Sequence, residues 1–268
     1  MIGVDASFAN ALRRIIISEV PTMAIEKVYV FNNTSIMQDE VLAHRLGLIP
    51  LNVDPRLFDC KTASSEDTDV NTIVLEMKVK CEKKGDTLLH SNVYASDLKF
   101  IPKGSQSPDL FPNQQVSVVP DILIAKLRPG QEIHVELHCE KNVGKEHAKW
   151  SPVGTASYRL MPEIEILEPI VDELAERFVK CFPVGVAAVN VIKGVKTAVV
   201  VDPRKDTVSR EVLRDPELAS KVRLARIRDH FIFSVESVGQ LKPEEIVIEA
   251  LKVLMKKCVV VKEAIKSQ

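Results

Sequence analysis

His134, His138 and Cys139 are the residues whose types most invite a metal or proton-transfer reading. Their setting argues against it. Ile133, Val135, Leu137 and Cys139 alternate with polar residues, which is the period of a strand. On a strand, residues four apart lie about 13 Å from one another at about 3.3 Å per residue. Cys139 points to the face opposite the two histidines. The other cysteines, Cys60, Cys81, Cys181 and Cys258, are scattered and form no C-x-x-C pair. They build neither a zinc site nor a disulfide framework, and they suit a reducing compartment. The 10 glycines include no phosphate-cradling pattern, and no G-x-S-x-G elbow or H-E-x-x-H helix is present. Glu66/Asp67 fall in a polar loop and Glu244/Glu245 in a helix's first turn, where solvation and the helix dipole account for them. No catalytic residues, metal ligands or cofactor-binding residues are expected, so a binding or scaffold role is favoured over an enzyme.

The elements therefore matter for the surfaces they carry, and the opening stretch from Asp5 to Leu51 matters most. Asp5 is placed to cap a helix that Pro21 stops after Val20. At about 100° per residue, Phe8, Ala11, Leu12, Ile15 and Ile16 share one face, a core stripe. The opposite face holds Asn10, Arg13 and Arg14 around Ile17, and an apolar residue ringed by arginines suits a second contact surface. Met1-Ile-Gly-Val reads as the end of a strand, pointing to a segment upstream. A strand is expected over Ile25 to Phe31. A short helix follows, capped by Asp39, running through Leu46 and closed by Gly47. His44 and Arg45, side by side in that helix, form either a solvated edge or a partner contact.

Further along, Lys61 to Asn71 is a polar, acidic loop, and the alternation from Ile73 to Cys81 marks a half-buried strand. Strands are expected over Asn92–Phe100, Ile122–Leu127, Ile133–Cys139 and Thr155–Leu167, with Pro162 at an edge or kink. An amphipathic helix over Asp172–Cys181, a hairpin turning at Lys193–Gly194, and a short helix over Thr207–Leu213 make a self-contained block. Phe231–Glu236 reads as a strand. Pro243, with Glu244 and Glu245, then opens a last helix of about 20 residues, ~30 Å long. Val247, Ala250, Leu251, Leu254, Cys258, Val261 and Ile265 lie near one line on it, a stripe long enough to serve an interface.

With 268 residues, 46% hydrophobic and 27% charged, the chain has the composition of one or two globular domains. Lys+Arg 36 against Asp+Glu 37 leaves no overall field to gather nucleic acid. No apolar run reaches the roughly 18 residues of a membrane helix.

The wording N-A-L-R-R (Asn10–Arg14) followed by H-R-L-G-L-I-P-L (His44–Leu51) resembles the larger alpha-like subunit shared by eukaryotic RNA polymerases I and III. That family is related to the bacterial polymerase alpha amino-terminal domain and to its archaeal counterpart. The resemblance also covers Tyr94–Phe100, Ala148–Leu160 and Arg223–Glu249, and so nearly the whole chain. It implies an α+β fold. A discontinuous dimerisation domain, helices on a mixed sheet, would comprise residues 1–52, a return strand 153–168 and residues 223–268. It would be interrupted by a β-rich insert (53–152) and a ferredoxin-like insertion (169–222). Family members carry zinc-binding cysteines in the first insert in polymerase II, and some archaeal relatives carry an iron–sulfur cluster in the second. Here only isolated Cys60, Cys81 and Cys139 remain in the one and Cys181 in the other. A cluster needs several thiolates, so an insertion without cofactor is expected.

By the same resemblance, the chain is a non-catalytic assembly platform for ribosomal RNA, 5S and tRNA transcription, in nucleolus and nucleoplasm. Phe8, Leu12, Ile15, Val247, Leu251, Leu254, Cys258 and Val261 would meet a smaller alpha-like subunit. Asn10, Arg13, Arg14 and Ile17 would meet the second-largest polymerase subunit, with His44 and Arg45 a further partner contact. The largest subunit would be mounted on the same platform, nucleic acid would be reached only through the complex, and no membrane is involved. The competing readings are a polymerase II paralogue, which would carry zinc, and a free-standing ferredoxin-fold redox or binding protein, which would carry iron.

Overall fold

The computed structural model describes residues 1–62, 65–192 and 194–267, with Ile192 described by its backbone alone. Ala63 and Ser64 of the expected acidic loop, and Lys193 of the expected hairpin turn, lie outside the described residues. Helix α1 (Ala6–Ser18) leads to strand β1 (Pro21–Asn33) and helix α2 (Asp39–Gly47). Next come β2 (Thr72–Lys80), β3 (Glu82–Lys84), β4 (Thr87–Leu89), β5 (Asn92–Tyr94), β6 (Lys99–Phe100), β7 (Leu123–Lys126) and β8 (Glu132–Val143). The chain continues through β9 (Val153–Ile166), α3 (Asp172–Lys180), β10 (Ala187–Ile192), β11 (Val195–Val200) and the single turn α4 (Pro216–Ala219). It ends with β12 (Val222–Ser237) and α5 (Pro243–Lys266). The fold is α+β, as expected.

Two compact units result: Met1–Ala11 with Ser157–Ser234, and Leu12–Ala156 with Val235–Gln268. The larger holds an antiparallel sheet of order β1-β8-β2-β6. Its alternation is the one read from sequence. Ile73, Leu75 and Met77 of β2 and Ile133, Val135, Leu137 and Cys139 of β8 are sealed on one face, where Leu42 and Leu46 of α2 join them. The edge of β1 is guarded by side chains rather than by a further strand. Gln240 Nε2 donates to the Met23 carbonyl (2.6 Å), the Met23 N–H donates to Gln240 Oε1 (3.3 Å), and Lys149 Nζ donates to the Ile25 carbonyl (2.9 Å). Such occupancy blunts a strand edge. In the smaller unit, Ile170, Ala175, Phe178, Ala187, Ala198, Val212, Leu218 and Val222 close a separate core beneath α3 and the β10–β11 hairpin.

Several local expectations give way to tertiary chemistry. Asp39 does not cap α2. The N-cap is Gln38, and the Asp39 carboxylate instead accepts from Asn33 Nδ2 at 2.7 Å. Nor does Gly47 close it, because Leu48 is the C-cap in right-handed conformation. Asn92–Phe100 is no single strand: Asp97 accepts the Tyr94 N–H (2.8 Å) and winds Ala95–Asp97 into a 3-10 turn between β5 and β6. The helix expected over Thr207–Leu213 is replaced by a 3-10 turn over Glu211–Arg214 and then α4.

Gly144, just past β8, lets the chain pass the end of α1. A Cβ there would fall inside contact distance of the Ile17 carbonyl oxygen and 3.3 Å from Ser18 Cα, beside a Lys145 N–H to Ser18 O bond of 2.9 Å. Both obstacles are backbone and cannot swing away. Gly144→Ala is therefore expected to cost about 1–3 kcal/mol, read as a lowered urea midpoint at unchanged slope.

Candidate partner-binding surfaces

The histidines that invite a metal reading are held by carboxylates. His134 Nε2 lies 3.1 Å from Glu76 Oε1, while His138 sits between Asp67 (Nδ1, 3.0 Å) and Glu136 (Nε2, 3.1 Å). Tyr29 meets His138 edge-on, with ring centroids 4.8 Å apart. Asp67 is also paired with Lys61, whose ammonium reaches Glu140 at 2.9 Å. The Lys61 hydrogen bond first, and that of His138 after it, hold the Asp67 carboxyl below its usual range. This cluster fastens the acidic loop to the outer face of the sheet. Cys139 is on the other face, fully buried, and burial pushes its thiol pKa well up, so it is inert. Among the described residues no group of three or more histidine, cysteine or acidic side chains is arranged to hold a metal.

On α1, Asp5 Oδ1 accepts the Ser7 N–H at 2.8 Å, the cap read from the sequence. The buried face is Ala9, Leu12, Ile15 and Ile16. Phe8, expected in that stripe, is exposed, and Ala9 takes the core position instead. Leu12 and Ile15, expected to face a partner, are each only 3% exposed and belong to this chain's own packing. On the other side Arg14 is exposed, with Asn10, Arg13 and Ile17 half-buried beside it.

The His44–Arg45 pair divides its work. Arg45 donates from Nε to the Ile124 carbonyl (3.0 Å) and from Nη2 to that of Leu123 (2.7 Å), tying α2 to β7. His44 turns the other way, edge-on to His147 at 6.3 Å, over a cleft floored by Gly47 and Lys149. The Lys149 ammonium stands 4.4 Å over the Trp150 ring and pairs with Glu26.

Helix α5 is fixed at its base and open beyond it. Pro243 occupies its first turn, and the Glu245 carboxylate accepts the Lys242 N–H at 3.0 Å, which chiefly holds its pKa down. Arg56, gripped by Asp54, reaches Glu245 at 3.2 Å, and Lys257 pairs with Glu19 at 2.7 Å. Gly239 turns the chain into the helix at φ +107 against the Val118 side chain, where no Cβ fits. Ile246 and Ala250 are fully buried, whereas Val247 and Leu254 are half-buried. Leu251, Cys258 and Val261 are exposed. Ile248, Met255, Val259 and Val260 are exposed as well and were missed by the single-stripe reading. The signal was present in Val259-Val260-Val261: three consecutive helical residues span about 200° of the circumference and cannot all face one core.

The RNA polymerase Rpb3/Rpb11 dimerisation domain model matches residues 1–258. Subunit RPAC1 of DNA-directed RNA polymerases I and III from Saccharomyces cerevisiae is 54% identical, covering 96% of this chain and 80% of the relative. Its counterpart from Homo sapiens is 52% identical, covering 96% and 78%. The DNA-directed RNA polymerase II subunit rpb3 of Dictyostelium discoideum is 37% identical, covering 94% and 85%. With these matches the chain belongs to the RNA polymerase Rpb3/Rpb11 dimerisation-domain family.

Proposed function

We propose that the chain is the larger alpha-like subunit of DNA-directed RNA polymerases I and III, a nuclear assembly platform with no active site of its own. It pairs with a smaller alpha-like subunit and anchors the second-largest and largest subunits, which hold the catalytic centre. The ends of the chain (1–52, 153–168 and 223–268) build the pairing domain. Residues 53–152 are its insert, and 169–222 a ferredoxin-like insertion that keeps only Cys181 and so holds no cluster. The observation that carries this reading is the surface of α5: Met255, Val259, Val260, Val261 and Ile265 are all more than half exposed on a helix tied to its own chain at Glu245 and Lys257. Apolar side chains so exposed along one helix support a protein interface. Close identity to the polymerase I and III relatives favours those enzymes over polymerase II.

Leu251, Cys258 and Val261, with the half-buried Val247 and Leu254 and the exposed Phe8, are the residues assigned to the smaller partner. Asn10, Arg13, Arg14 and Ile17 are assigned to the second-largest subunit, and His44 to a further partner. The test is affinity purification of the tagged chain from its own cells with mass spectrometry of its companions. Polymerase I and III subunits are expected in stoichiometric amounts, and their absence would refute the proposal. In the same assay Arg14→Glu is expected to keep the smaller alpha-like subunit and lose most of the second-largest one. Loss of both together would mean that α1 does not divide its faces in this way.

A further inference from the structure

The chain as a whole is nearly neutral, at net −1, yet from Leu251 to Ser267 it carries five lysines against the single Glu263. Two of these lysines are satisfied at home, Lys252 by Glu249 and Lys257 by Glu19. Among the described residues Lys256, Lys262 and Lys266 have no carboxylate partner. Lys257, Lys262 and Lys266 also rim a shallow groove on α5 whose floor is Cys258, Val261 and Ile265. The spacing explains the shape. Cys258, Val261 and Ile265 follow one another at i, i+3 and i+7 on one face, and Lys262 follows Cys258 by one turn beside it. Lysine stems lie along apolar surface while their ammonium groups stay in water, so the rim is charged and the floor is apolar.

From this rim we infer the chemistry of the occupant: a segment of the partner subunit that seats an apolar side chain over Val261 and sets carboxylates against Lys262 and Lys266. This deepens the proposed function and rests on it, since it assumes that α5 is the pairing surface. The argument is one of charge complementarity. An apolar stripe alone accepts any greasy face, whereas two unneutralised cations on its rim, Lys262 and Lys266, favour an acidic one and repel a basic one. Rim charges of this kind act mainly on the rate of encounter, and salt screens them within about 10 Å at ~0.1 M. The apolar floor acts on how long the complex lasts.

The experiment measures association and dissociation rates of the full chain with the smaller alpha-like subunit at about 50 mM and about 500 mM sodium chloride. Wild type is compared with the Lys262→Glu/Lys266→Glu double variant, with Val261→Ala, and with Lys80→Glu on the exposed face of β2 as a charge control. Wild type is expected to associate about tenfold or more faster than the double variant at low salt, with the gap closing at high salt. Val261→Ala is expected to speed dissociation with little change in association, and the control to behave as wild type. Double-variant rates equal to wild type at both salts would overturn the acidic-partner inference while leaving the pairing itself standing. No complex with wild type at either salt would overturn both. Phosphatidylserine vesicles form a parallel arm: binding there that the double variant loses, with subunit pairing unchanged, would assign the lysines to a lipid surface and overturn the inference.

Discussion

Leu251→Asp/Met255→Asp is expected to abolish recovery of the smaller alpha-like subunit while leaving the chain folded. Both side chains lie on the open side of α5, Met255 at 68% exposure, so neither substitution touches the buried Ile246 and Ala250 that hold the helix at home. In the complex each carboxylate would be carried into apolar surroundings without a partner, which costs several kcal/mol per ion even after relaxation. Two such penalties exceed what a typical interface has in surplus, and the expected loss of affinity is at least about a thousandfold. The check is pull-down of co-expressed subunits alongside far-UV circular dichroism of the variant alone. Unchanged recovery would show that this side of α5 is not the pairing surface. A collapsed dichroism spectrum would instead show that the two positions serve the monomer.

The second large effect is on stability. Phe178 is fully buried in the core of the smaller unit, packed against Phe182 with ring centroids 4.9 Å apart and surrounded by Ile170, Ala175 and Val212. Phe178→Ala removes a whole ring from a close-packed site and is expected to cost about 3–5 kcal/mol. A domain's net stability is about 5–15 kcal/mol, so this loss is a large part of it. The variant should show an early melting step, with increased proteolysis between residues 170 and 222, while α5 keeps its capacity to pair. Because α5 and the Phe178 core fall in different compact units, simultaneous loss of pairing would contradict their separate roles.

How far these surfaces were legible in the sequence follows from the range of the forces that made them. The strand alternations of β2 and β8, the Asp5 cap and the Pro243 start of α5 are written in a few adjacent residues, and each is found where it was read. What was misread depends on distant atoms. Arg45 looked free for a partner because its acceptors, Leu123 and Ile124, lie nearly eighty residues away. Gly47 looked like a helix cap. Its place is close to the Ile25 carbonyl and the Lys149 stem, at 3.5 and 3.6 Å from a Cβ position, with no left-handed backbone demanded. A helical wheel fixes which residues share a face but not which face turns inward at the first turn, and so Phe8 reads as core where Ala9 is the buried residue. On α5 the wheel found one apolar line, whereas the burial of Ala250 and half-burial of Val247 and Leu254, set by distant parts of the chain, show which part of that line packs at home.

The central claim is that α5 is completed by another chain, and light scattering across a size-exclusion peak tests it most directly. Alone, the chain is expected to run as associating species heavier than its own 29.9 kDa, and mixed with the smaller alpha-like subunit to collapse into one species of one-to-one mass. A sharp monomer peak left unshifted by that smaller partner would contradict it.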